Sequence, residues 1–410
     1  MTRNVSDSDS VRRQNRGLLL AALRSSGPQS RTAIAGVTGL SHASVTAIMH
    51  DLLHQRVVEE LPTSEPTDGR MRGRPATLIG FRRAAVYVAL LELDVNRLRA
   101  SLVDYSGVLV DRIEVNVTPD TLRSQSPADF FAQHLEALRQ RTPKASPSLR
   151  RIAISVQGIL DRDGSGVKWS PIPHLAGSAF ATDLAARFGL EVTLHKRGRL
   201  LAEGTRWLVP DLHDTSVATV FIGSTVAMGL SPNGQGTSRS QGSATEFGHM
   251  NHIPSGALCR CGMRGCIEAY VADYGLLRTV YSVPETAPPA PAVPAQQYES
   301  LLNRAEQGDR AAAHGFHVAG RALGYGLSRM LAMFDPSRIL LVGPGARALP
   351  LMRAEIEAAL SASLVCRING LPEISAHLDE KEPIFRGLMM KTLTAVDQDD
   401  IATLDSRARL

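Results

Sequence analysis

Cysteine is scarce in this 410-residue chain, which has only four. So few thiols exclude a disulfide-stapled scaffold and fit a reducing compartment. No uninterrupted apolar run reaches the roughly 18 residues that would mark a membrane span. The polar opening MTRNVSDSDSVRRQNRG lacks the apolar stretch of a secretory leader. The expectation is a cytoplasmic protein without a membrane partner. No tandem repeat of solenoid type is visible. Neither sign of charge dominates, since 45 Lys and Arg stand against 40 Asp and Glu. The formal excess of +5 permits a polyanionic partner but does not require one.

What is present is ordinary in bulk. Hydrophobic residues make up 43% and charged residues 21%, as in a globular protein. The length allows two to three domains and a core that needs no staples. In the first eighty residues, VRRQNRGLLLAALRSSG has the spacing of an amphipathic helix closed by Gly27 and Pro28. SRTAIAGVTGLSHASVTAIMHDLLHQR then reads as helix, turn, helix, with Gly39 in the turn and Ser41 as N-cap. Val45, Ile48, Met49, Leu52 and Leu53 form the apolar stripe of its second helix. His42, Ser44 and Thr46 lie off that stripe. VVEELPTSEPTDGRMRGRPATLIGF predicts two short strands joined by a polar loop that carries Arg70, Arg72 and Arg74.

From Ala84 the texture is α/β. AAVYVALLELDV and LRASLVDYSGVLVDRIEV predict a strand meander, PADFFAQHLEALRQR a helix and RRIAISVQGIL a buried strand. A helix over AFATDLAARFGL leads into the strand EVTLHK, and SVATVFIGSTVAMGL is a strand pair around Gly223. VPETAPPAPAVPAQQ reads as a low-complexity loop. AAHGFHVAGRALGYGLSRMLAMF is a long helix, and RILLVGPGA a strand running into a turn.

Three of the four cysteines fall within eight positions. His249, Cys259, Cys261 and Cys266 have the spacing H-x9-C-x-C-x4-C. Three soft thiolates and an imidazole are the ligand set of a closed, tetrahedral, structural zinc (Zn2+) site. Gly262 and Gly265 suit a backbone folded tightly around an ion. Buried apolar cysteines or a disulfide are the alternatives, although Cys-x-Cys neighbours bridge each other poorly. Cys366 reads as a buried small hydrophobe.

The stretch TEFGHMNHIPSGALCRCGMRGCIEAY closely resembles the signature of the ROK family of bacterial sugar-responsive repressors and sugar kinases. Its Glu-x-Gly-His element falls on Glu246, Gly248 and His249, and its Cys-rich element runs from Cys259 to Glu268. RALGYGLSRMLAMFDPSRILLVGPGA resembles the family's long helix, Asp-Pro and following strand. The resemblance implies an actin-like, sugar-kinase-type (ribonuclease H-like) α/β domain of two lobes. It also implies that zinc fixes a loop so that Glu246, His249 and Glu268 present their side chains to a sugar. SRTAIAGVTGLSHASVTAIMHDLLHQRVV resembles the winged helix-turn-helix of the family's repressors, and GRMRGRPA their Gly-Arg-Pro wing. Ser41, His42, Ser44 and Thr46 would then face bases or nearby phosphates, and Arg70, Arg72 and Arg74 phosphates or a narrow minor groove. An ordinary three-helix unit and a solvated basic linker are the plainer readings of the same residues.

The chain departs from the family's kinases where phosphoryl transfer needs it most. Their Glu-Asn-Asp triplet, with Asp as general base, aligns with His195, Lys196 and Arg197. A guanidinium cannot accept a proton. The first phosphate loop keeps Asp94 but has lost its glycines, the second keeps only Gly223, Ser224, Thr225 and Gly229, and an expected sugar-binding Asn is missing near Pro171 and Ile172. Three roles for Lys196 and Arg197 stay open. They can hold an anionic effector such as a sugar phosphate or sugar acid, pair with Glu246 or Glu268 and fill the pocket, or face solvent.

The sequence thus predicts a winged helix-turn-helix over 1–80 and a first α/β lobe over 81–195, completed by a C-terminal helix region over about 385–410. A second lobe over 196–384 would carry the zinc. The expected function is a non-enzymatic, DNA-binding regulator, a repressor of carbohydrate-related genes. As a homodimer or homotetramer it would bind a palindromic operator in double-stranded DNA. The rivals are a sugar kinase with a DNA-binding head and an effector-independent regulator controlled by a protein partner.

Overall fold

The computed structural model describes residues 5–62, 77–172, 174–208, 215–231 and 246–401. Helix α1 (Val5–Ser26) buries Leu19, Leu20 and Leu23 and ends at Gly27, which is left-handed with φ 73°. A two-residue strand, β1 (Gln29–Ser30), leads into α2 (Arg31–Thr38), and the Ser30 hydroxyl caps that helix by accepting from the Ala33 amide. Gly39 closes α2 in the left-handed conformation. Helix α3 (His42–His54) follows at a bend of 119°, within the range of a helix-turn-helix. Its apolar face buries Val45, Ile48, Met49 and Leu52, while Leu53 is only half-buried. Strands β2 (Val58–Leu61) and β3 (Leu78–Phe81) pair antiparallel, and β1 joins the other edge of β3. These elements form a winged helix-turn-helix whose sheet runs to Phe81.

The next sheet contains β4 (Tyr87–Asp94), β5 (Arg97–Asp104) and β6 (Leu109–Asn116) as an antiparallel meander. After α4 (Pro127–Arg141), β7 (Leu149–Val156) returns parallel to β4. A hairpin of β8 (Ile159–Leu160) and β9 (Val167–Trp169) precedes α5 (Phe180–Phe188) and β10 (Glu191–Lys196), which lies parallel to β7. The strand order is β10-β7-β4-β5-β6. Strands β4 and β7 are buried on both faces because both faces are covered, whereas β6 is an edge and is half exposed.

Helix α6 (Arg197–Leu208) crosses to the second lobe. Its sheet has the order β12-β11-β13-β14, from β11 (Val217–Ile222), β12 (Val226–Ser231), β13 (Arg338–Val342) and β14 (Glu373–His377). Helix α7 (Arg310–Leu331) packs beside it, and α8 (Lys381–Ala395) returns to β4 and β7 of the first lobe. The segment VPETAPPAPAVPAQQ is irregular up to Pro294, and its last three residues open a helix, Ala295–Glu306. Helices α6 and α8 lie against each other at the junction of the lobes. Their approach requires glycine, since a Cβ on Gly204 would stand 1.7 Å from the Pro383 carbonyl oxygen and one on Gly387 2.1 Å from that of Leu200.

Three apolar cores result. One fills the second lobe and one lies beneath α4 and α5. The third is continuous from α1, α2 and α3 of the head through the other face of the first sheet to α6 and α8, and it takes in Val217 and Phe221 of β11 and Leu340 and Val342 of β13. No single helix among the described residues is long and apolar enough to cross a membrane.

Candidate functional site

Three regions hold the residues singled out by the sequence. In the head, α3 turns its apolar side inward and leaves His42, Ala43, Thr46, Ala47 and His50 exposed on one face. The hydroxyls there already serve the helix. Ser41 Oγ accepts from the Ser44 amide at 3.1 Å and lies 2.9 Å from Ser44 Oγ, while Thr46 Oγ1 donates to the His42 carbonyl at 2.8 Å. Beside this face stands Arg12 of α1, paired with Asp51 at 2.5 Å. The sequence reading missed Arg12, Ala47 and His50. The steps 42, 43, 46, 47, 50 are the period of one helix face and contained that signal. Arg70, Arg72 and Arg74 lie outside the described residues.

In the second lobe, His249, Cys259, Cys261 and Cys266 converge with ligand atoms all within 4.8 Å of one another. Cys259 Sγ is 3.7 Å from His249 Nδ1, and Cys261 Sγ is 3.7 Å from Cys266 Sγ. A tetrahedral ion with bonds of about 2.0–2.3 Å holds its ligand atoms roughly 3.3–3.8 Å apart, so the donor set fits a metal ion. The loop closes through two turns at positive φ, Gly262 at 85° and Gly265 at 82°, and a Cβ on Gly265 would collide with the Ile253 carbonyl. Hydrogen bonds with Cys259 and Cys266 pull the Cys261 thiol far down, and those with Cys259 and Cys261 push Cys266 far up. Burial disfavours a charged His249, yet hydrogen bonds to Cys259 and Cys261 raise it to about 11. Behind the cluster, Glu268 is 1% exposed and accepts from the Val226 amide and the Tyr274 hydroxyl. Burial, with help from the neighbouring Cys259, raises its carboxyl to about 7. The His249 ring also packs perpendicular to that of Trp169, from the first lobe, with ring centres 5.3 Å apart.

The third region lies between the lobes, where β10 passes into α6. Lys196 Nζ pairs with Glu246 Oε1. Arg197 does not reach Glu268. It donates from Nη1 to Asp94 Oδ2 at 2.9 Å, with its guanidinium 4.9 Å from the Phe221 ring centre. Asp94 also accepts from Gln157 Nε2 and from the Val95 amide. Burial would raise this carboxyl, but Arg197, the Val95 amide and the nearby Arg97 hold it below its ordinary value. At the β11–β12 turn, the Ser224 carbonyl accepts from Arg260, which stacks 4.4 Å from the Tyr274 ring centre and stands 3.8 Å from Asp273. Burial raises Asp273 to about 6, and Arg260 offsets part of that rise. Sequence reasoning noted Asp94 as a loop remnant without its partner and missed Arg260 and Asp273. Contacts spanning tens to a hundred residues leave no local pattern.

Comparison with known proteins places these features. Residues 91–384 match a family described as the ROK family. A xylose repressor from Bacillus subtilis (strain 168) is 23% identical over 369 residues, covering 88% of this chain and 91% of that protein. Among solved structures, a ROK family transcriptional regulator described as a homologue of the Escherichia coli MLC protein superposes with a TM-score of 0.73. It has 19% identity and covers 96% of this chain and 98% of its own. A ROK family glucokinase from Streptomyces griseus, solved with glucose and AMPPNP, superposes with a TM-score of 0.56 at 20% identity. That match covers 98% of the kinase and 74% of this chain.

Proposed function

The chain belongs to the ROK family, and from that premise we propose that it is a DNA-binding transcriptional regulator, a repressor of carbohydrate-related genes that acts in the cytoplasm. The observation that carries the proposal is α3, buried along one face and open along the other within a helix-turn-helix. Such a helix lays its first turns against base edges in the major groove. His42 and Thr46 occupy that face, and Ser41 and Ser44 sit at the helix start, suited to a phosphate or base. Arg70, Arg72 and Arg74 would add phosphate or minor-groove contacts. In this reading the head spans 1–80, the first lobe 81–195 with a return over 385–410, and the second lobe 196–384. A homodimer or homotetramer would present paired heads to a palindromic site.

The body is read as non-catalytic. Where a kinase needs a general base, Arg197 forms an ion pair with Asp94, and a guanidinium takes up no proton near neutrality. His249, Cys259, Cys261 and Cys266 would hold a structural zinc, whose closed ligand set leaves no position for substrate. Zinc would fix the loop that carries Glu246, His249 and Glu268.

The pairing of Lys196 with Glu246 and of Arg197 with Asp94 favours two forms of control over binding of a neutral sugar. An anionic effector, a sugar acid or sugar phosphate, would displace Glu246 from Lys196. Alternatively, the filled pocket leaves the protein to a protein partner. Selection of genomic fragments by zinc-loaded protein, followed by footprinting, tests the main reading. A discrete palindromic footprint, weakened by sugar acids or sugar phosphates but not neutral sugars, is the expected result. Weak, sequence-independent, salt-sensitive binding alone would overturn the regulator reading.

A further inference from the structure

The head meets the body around a buried ion pair. Arg24, in the last turn of α1, reaches Asp397, just beyond α8. Their side chains are 3% and 4% exposed. Arg24 Nη1 donates to Asp397 Oδ2 at 2.6 Å and Nη2 to Oδ1 at 3.2 Å. Tyr105, just after β5, donates its hydroxyl to Asp397 Oδ1 at 2.9 Å, and its carbonyl accepts from Arg24 Nη2 at 3.3 Å. The guanidinium lies 4.7 Å from the ring centre of Phe81, the last residue of β3, and Phe81 meets Tyr105 edge-on at 4.9 Å. Two elements of the head, α1 and β3, and two segments of the body, the residue after β5 and the turn after α8, therefore meet around one ion pair.

We propose that Arg24, Asp397 and Tyr105 form the joint that fixes the pose of the head on the body, making them positioning residues for the recognition helix that never touch DNA. The inference rests on the DNA-binding reading above. Adhesion between head and body has another source, the shared apolar core that includes Leu19, Leu20 and Leu23 with Leu393, Val396 and Ile401. Apolar burial holds surfaces together without dictating an angle. A bidentate guanidinium–carboxylate pair does dictate one, because its fork is planar and directional. A buried pair is also weak support for stability alone, so its use as an orienting device accounts better for its presence.

The turn Val396–Asp400 is held from both sides. Arg16 of α1 donates to the carbonyls of Asp397 and Gln398 at 3.0 and 3.3 Å. Arg151 of β7 holds Asp400 at 2.6 Å and Asp399 at 3.2 Å. The same turn continues α8, whose close contact with α6 leads to Lys196 and Arg197 in the cleft. A shift of α6 would thus reach the head through packed elements and this carboxylate.

The test uses full-length, zinc-loaded protein carrying Val37→Cys on α2 and Leu109→Cys on β6, both exposed, for spin labels. Asp397→Asn and Tyr105→Phe are compared with the parent. The expected result is one narrow head-to-body distance distribution in the parent and a broad one in both variants. On the selected operator, affinity for a lone half-site should stay unchanged while the preference for one half-site spacing is lost. Asp397→Glu should restore part of that preference, which a purely structural defect would not allow. Should Asp397→Asn fail to fold, Tyr105→Phe carries the test, since it removes one hydroxyl and keeps the ring. Narrow distributions and intact spacing preference in the variants would overturn the joint. Absence of any operator binding by the parent would overturn the DNA-binding reading instead, and the label distances would still decide the joint.

Discussion

His249 joins two parts of the molecule in the proposed reading. Its Nδ1 faces the three thiols, and its ring lies against Trp169 of the first lobe. Fixing the imidazole on an ion would therefore also fix a contact between lobes, as an outer partner fixes a metal-bound histidine. Zinc binding must displace protons, because thiolate and neutral imidazole are the ligands. Zinc affinity should therefore fall as pH falls and the protons return. Metal analysis of the purified protein is expected to give one zinc per chain. Removing it by chelator, or by Cys266→Ser, should abolish amide protection over residues 249–266 and leave β13 protected. Full zinc content in Cys266→Ser, or unchanged exchange after chelation, would show that this cluster is not the site.

Among the elements, the contact of α6 with α8 decides how the lobes are joined, and glycine decides that contact. On an exposed helix Gly→Ala stabilises by up to about 1 kcal/mol. At Gly387 the new methyl would stand 2.1 Å from the Leu200 carbonyl oxygen, which is backbone and cannot rotate away. Overpacking of that kind typically costs about 1–3 kcal/mol. Gly387→Ala should therefore lower the urea midpoint, and an unchanged or raised midpoint would refute the close approach. Nothing in the helical pattern of KEPIFRGLMMKTLTA announced this constraint, since an isolated glycine in a helix carries no address for its partner. Other elements were legible because burial imposes a period. The apolar run of β7, the capped helix from Pro127 and the stripe of α3 could be read directly. Strand β14, EISAH, could not, because a five-residue edge strand buries only Ile374 and so has no alternation to read. At the site, three cysteines in eight positions were conspicuous, whereas the Arg197–Asp94 pair joins residues 103 apart and needed the fold.

For the whole molecule, the continuous core implies that the head is not an independent module on a tether. Leu52 of α3, Val88 of β4 and Leu388 of α8 belong to one buried cluster, which also takes in Val217 and Phe221 of β11 and Leu340 and Val342 of β13, while the rest of the second lobe has a cluster of its own. Cooperative units follow buried contact rather than chain order. Native-state hydrogen exchange under increasing urea should therefore show α3, β4 and α8 opening together, with α7, whose buried apolar side chains all lie in the second lobe's own cluster, opening as a separate unit. The sheet of the first lobe would then report the fate of a recognition helix more than thirty residues before it. This pattern matters for regulation. A freely hinged head would decouple DNA from any change in the cleft, whereas a head sharing its core with α6 and α8 must move when they move. A ligand can shift that arrangement only by binding one pose more tightly than another. Opening of α3 at lower urea than β4 would separate head from body and leave regulation to changes in assembly. A common opening would show that head and body form one cooperative unit, on which the Arg24–Asp397 pair can set the head's angle.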